Sequence, residues 1–74
     1  MKFNEILEYE RANKNINKKN MALQIGVLPD TYRKYEKGIR QPDFDTLCSI
    51  ADILNVSTDY LLGRVVKANK NALR

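Results

Sequence analysis

Apolar residues recur at helical spacing in five short stretches of this chain, each closed by a residue that ends helices. Phe3, Ile6, Leu7 and Tyr9 mark the first, predicted over Asn4–Asn13 and running out in polar residues before Ile16. Asn17, a strong cap residue, predicts a second helix that carries Met21, Ala22 and Ile25 on one face and stops at Gly26. A third is predicted from Pro29 to Lys37, with Tyr32 and Tyr35 turned inward and Gly38 at its end. After a basic loop, Gly38 to Pro42, Asp43 caps a fourth helix that holds Phe44, Leu47, Ile50, Ala51 and Leu54 and ends at Asn55. A short fifth opens at Ser57, carries Tyr60, Leu61 and Leu62, and stops at Gly63. No strand, internal repeat or low-complexity stretch breaks the series. The expected architecture is all-α, a single domain of five short helices over residues 1–63. Residues 64–74 lack a sustained apolar period and are expected to form a basic, flexible tail.

The second and third helices are joined by a turn of about three or four residues containing Gly26, the layout of a helix-turn-helix unit whose second helix can enter a DNA major groove. Ala22 is small where two helix backbones must come close, and Gly26 can adopt the left-handed conformation that ends the first helix of the pair. Met21, Ile25, Val27, Tyr32 and Tyr35 supply the apolar wedge between them. At about 100° per residue, Pro29, Asp30, Arg33, Lys34 and Lys37 share an outward arc of roughly 140°, with Tyr32, Tyr35 and Glu36 opposite.

Composition narrows the chemistry. The 74 residues are 43% apolar, enough for a small helical core, with no run of about 18 apolar residues for a membrane span and no signal-peptide segment after Met1. Cys48 is the single cysteine, which excludes an internal disulfide and points to a reduced, cytoplasmic protein. Histidine is absent, removing the commonest metal ligand and the usual general base. No enzyme, metal or cofactor is therefore expected. The net charge of +4 is unevenly spread: residues 1–42 carry nine Lys/Arg against five Asp/Glu, and residues 43–62 hold four Asp and no base. Such segregation fits a basic face for a polyanion and an acidic face turned away, the alternative being ordinary surface charge.

With the Lys18–Lys37 unit, the segment YEKGIRQP (35–42) and the ending NVSTDYLLG (55–63) in place, residues 3–63 closely resemble the lambda-repressor-like, Cro/Xre helix-turn-helix family. The resemblance implies a sequence-specific DNA-binding transcriptional regulator of bacterial or phage type, a repressor that binds operator half-sites as a homodimer. It also implies that Pro29, Asp30, Arg33 and Lys34 face bases. Arg33 and Lys34 have donors for guanine O6 and N7. Pro29 offers only apolar contact, for instance to a thymine methyl. Asp30 has three open roles: accepting from cytosine N4, pairing with Arg33 or Lys34, or capping a helix that starts two residues late. Leu28, where the family usually has Ser or Thr, keeps the last role open.

Phosphate contacts are expected from Asn17 and Lys18, at the positive end of the second helix, and from Lys37, Arg40 and Gln41. The family typically has Gln at the Lys18 position. The resemblance further implies that Arg11 pairs with Glu36; Glu36 faces inward by periodicity and needs a partner. Glu10 is expected exposed, Cys48 buried or half-buried, and the fifth helix part of a two-fold surface. The alternative function is an antitoxin-like or anti-repressor-binding interaction module. With no effector domain in the sequence, control is expected from abundance, a regulatory protein partner or proteolysis.

Overall fold

The computed structural model describes residues 2–65, which form five α-helices and no β-strand. Helix α1 spans Phe3–Asn13, α2 Lys18–Ile25, α3 Pro29–Lys37, α4 Phe44–Leu54 and α5 Thr58–Leu61. The tail expected over 64–74 lies, from residue 66 onward, outside the described residues. Local chemistry sets the boundaries. The Asn17 side chain accepts from the Asn20 amide at 2.7 Å, Asp43 from Thr46 at 2.8 Å, and Ser57 from Tyr60 at 3.0 Å. Each satisfies one amide that a helix start leaves without a partner. Thr46 also holds the Asp43 carboxyl below its ordinary value by hydrogen bonding from its side chain and its backbone. Helix α1 starts one residue earlier than expected because Lys2 takes the cap position, its amide donating to Glu5 Oε1 at 2.8 Å.

Helix α3 begins at Pro29, with Leu28 as an N-cap of extended backbone and no side-chain hydrogen bond. Proline at the first helical position has no N–H to lose. A late start capped by Asp30 is therefore excluded.

The core comprises Ile6 and Leu7 of α1, Met21 and Ala22 of α2, Tyr32 and Tyr35 of α3, Ile50, Ala51 and Leu54 of α4, Val56, and Leu61 of α5. Ile16, Ile25, Val27, Leu47 and Tyr60 pack against it, partly buried. Burying each large aliphatic side chain contributes roughly 1.5–3 kcal/mol, which a chain this short needs from most of its apolar positions.

Three expectations about single residues need correction. Phe44 is 86% exposed, and Cys48 is exposed. They lie roughly 70° and 110° from the centre of the stripe made by Leu47, Ile50, Ala51 and Leu54, with Phe44 in the opening turn. Glu10 is buried, not exposed, at 9%. It shares the α1 stripe with Ile6 and Leu7, and the Tyr60 hydroxyl donates to its Oε2 at 2.8 Å. That bond and partial burial raise the Tyr60 hydroxyl to about 12.

Candidate nucleic-acid interface

Helix α3 is fixed by what lies beneath it. The Tyr32 and Tyr35 rings are buried edge to face, their centroids 6.2 Å apart at 78°. The Tyr32 hydroxyl donates to Glu36 Oε2, and burial first, then this bond, raises its proton affinity. Arg11 of α1 reaches the same carboxylate with two donors, Nε to Oε2 at 2.6 Å and Nη2 to Oε1 at 3.4 Å. Its Nη1 donates to the Ile16 carbonyl at 2.7 Å, tying in the α1–α2 connection. Hydrogen bonding to Glu36 raises the guanidinium pKa against the opposing effect of burial. At the far end of α3, Asn4 Nδ2 donates to the Glu36 carbonyl at 3.4 Å.

The two turns that aim α3 are glycine-dependent. Gly26 ends α2 at φ +75, and the Val27 amide donates back to the Ala22 carbonyl at 3.0 Å. Gly38 ends α3 at φ +77, and the Ile39 amide donates to the Lys34 carbonyl at 3.1 Å. A side chain at Gly38 would also press on Asn4, whose Cγ lies 3.2 Å from the Cβ position. Both are left-handed caps that glycine adopts without steric cost.

With Tyr32, Tyr35 and Glu36 held inward, the opposite arc is open. Pro29, Asp30, Arg33 and Lys37 are exposed, and Lys34 is partly so. The side chains of Arg33 and Lys34 retain 50% and 45% exposure. Asp30 sits between them, Oδ1 3.6 Å from Arg33 Nη2 and Oδ2 3.5 Å from Lys34 Nζ. Of the roles left open for Asp30, local pairing is the one it takes in the folded chain.

Lys18 is exposed at the start of α2, whose first turn carries no acidic residue. The first-turn amides and the positive end of the helix dipole there suit an anion. Asn17 has already committed its side-chain oxygen to the Asn20 amide. Arg40 and Gln41 are exposed after α3 and line a shallow groove of about 400 Å³ with Lys2, Asn4 and Tyr35. The Glu10–Tyr60 tie was absent from the sequence-based expectations. Its one signal was the position of Glu10, one turn after Ile6, on the buried stripe of α1.

Chemically, this face offers the cationic donors of Arg33, Lys34 and Lys37 beside the Asp30 carboxylate. Among the described residues no group of three His, Cys, Asp or Glu is placed to hold a metal, and no helix is long and apolar enough to cross a membrane.

A family model described as helix-turn-helix matches residues 7–61. The chain is 45% identical over 60 residues to the uncharacterized HTH-type transcriptional regulator YqaE of Bacillus subtilis, covering 81% of this chain and 52% of that protein. It is 42% identical over 60 residues to the SPbeta prophage-derived regulator YonR of the same organism, covering 81% and 56%. Identity to the cryptic phage CTXphi transcriptional repressor RstR of Vibrio cholerae is 41% over 64 residues, covering 86% and 57%. The chain thus spans about half the length of the curated relatives it matches.

Proposed function

This chain belongs to the helix-turn-helix family, and from that premise we propose that it is a sequence-specific DNA-binding transcriptional regulator, a repressor of phage or mobile-element type. The observation that carries the proposal is the outward arc of α3, where Arg33 and Lys34 project from a helix whose inner face is locked by Tyr32, Tyr35 and the Arg11–Glu36 pair. Helix α3 enters the major groove, α2 crosses the backbone, and Lys18, Lys37, Arg40 and Gln41 meet phosphate, with Asn17 at the α2 start beside them. Pro29 gives an apolar contact, and Arg33 and Lys34 read guanine edges. Two copies read half-sites about 34–36 Å apart on a near-palindrome. Repression follows from occupying a promoter, without chemistry, in the compartment that holds the DNA.

A titration with mixed-sequence duplex at about 50 and 200 mM salt tests the polyanion part of this proposal. Binding should weaken with a log–log slope of about −0.9 for each neutralised phosphate, and replacing Lys18, Lys37 or Arg40 by Ala should flatten it by about that amount each. A response independent of salt, or no binding at low salt, would favour a protein-interaction module on the same fold.

A further inference from the structure

Asp30 is the one acid on the outward arc of α3, and each of its carboxylate oxygens faces a different donor, Arg33 or Lys34. Its side chain is 68% exposed, so no burial requirement explains the arrangement, and open pairs at 3.5 and 3.6 Å add little to stability. Nor does Asp30 cap the helix, because Leu28 occupies that position. An acid in the first turn does favour the helix dipole, but that would hold equally on any face of the helix. What needs a reason is a negative charge on the surface that, on the DNA assignment above, meets a polyanion.

We propose that Asp30 is a specificity-determining residue that suppresses binding to mismatched DNA. A phosphate competes with the carboxylate for the same Arg33 and Lys34 donors and is itself repelled by it at close range. Guanine O6 and N7 carry only partial negative charge and are repelled far less, and cytosine N4 is a donor that the carboxylate can accept. Backbone-directed binding, which supplies essentially all non-specific affinity, is thus penalised more than base-directed binding. The donors are released only where a matched base edge replaces their internal partner. The inference rests on the DNA assignment and deepens it, by naming the element that separates matched from mismatched duplex.

The test compares the parent chain with Asp30→Asn and Asp30→Glu on two probes: the duplex recovered by the parent from a random pool, and mixed-sequence duplex, each over a range of salt. Asp30→Asn should tighten binding to mixed duplex roughly tenfold, with a steeper salt slope, and lower the ratio of selected to mixed affinity by a similar factor. Asp30→Glu, which keeps the charge, should restore the parental ratio, and matching thermal midpoints establish that all three fold. Mixed-duplex affinity unchanged in Asp30→Asn, or equal tightening on both probes, overturns this inference and leaves the DNA assignment standing. A parent that binds no duplex overturns both.

Discussion

Glu36, 8% exposed, accepts through its carboxylate from Arg11 of α1 and from the Tyr32 hydroxyl one turn earlier in α3, so one buried anion ties α3 to α1. Removing Arg11 leaves that anion short of charge compensation. Arg11→Ala should lower unfolding free energy by roughly 3–5 kcal/mol in urea denaturation, the range for an uncompensated buried charge. Arg11→Met combined with Glu36→Leu should cost less than Arg11→Ala alone, since no charge is then stranded. Tyr60 gives a second check, by pH. Its hydroxyl is raised from 10.0 to about 12 in the folded chain, so the unfolded state releases the proton first. Stability from this tie is fully present below pH 10 and lost as pH rises through 10 to 12. Thermal midpoints across that window should fall, and by less in Tyr60→Phe. The Arg11–Glu36 pair was legible only through family resemblance, because two residues 25 positions apart leave no local trace of their contact. Glu10 is buried despite its charge because it lies on the α1 stripe with Ile6 and Leu7, where the Tyr60 hydroxyl meets it.

Helix boundaries were the most legible feature, since caps are local chemistry written in adjacent residues. Asn17, Asp43 and Ser57 each accept an amide three positions on, and Gly26 and Gly38 terminate helices at positive φ. Asp43→Ala should lower the thermal midpoint, because the Thr46 amide loses its cap. Asp43 titrates below its ordinary value in the folded chain. Its contribution is therefore present above pH 3.8 and disappears as pH falls through the lowered value. Replacing Gly26 by Ala places a Cβ in open space, leaving only the left-handed strain of about 1–2 kcal/mol. Gly38→Ala adds crowding against Asn4 and the loss of its bond to the Glu36 carbonyl, so it should destabilise more. A reversed order in urea unfolding would show that the Asn4 contact is dispensable. The outward flank of α4 was harder to anticipate. Phe44 and Cys48 are apolar near a buried stripe, and only the placement of neighbouring helices decides that neither is covered.

Along the folded unit, Lys18, Lys19, Arg33, Lys34 and Lys37 belong to the α2–α3 pair, while Asp43, Asp45, Asp52 and Asp59 belong to the α4–α5 segment. That separation was visible in the order of charges along the chain, and the arc of α3 followed from its period once Pro29 opened the helix. The engagement of Asp30 with both donors was one of several local possibilities, and only the side-chain geometry selects it. The measurement that bears most directly on the proposed groove-reading helix is recovery of bound duplexes from a random pool by the parent chain, Arg33→Ala and Lys34→Ala. The parent should enrich a defined sequence, and each variant should lose preference at its own base positions while keeping the thermal midpoint. Enrichment of the same sequence by all three, or none by the folded parent, would contradict the assignment of base reading to this arc.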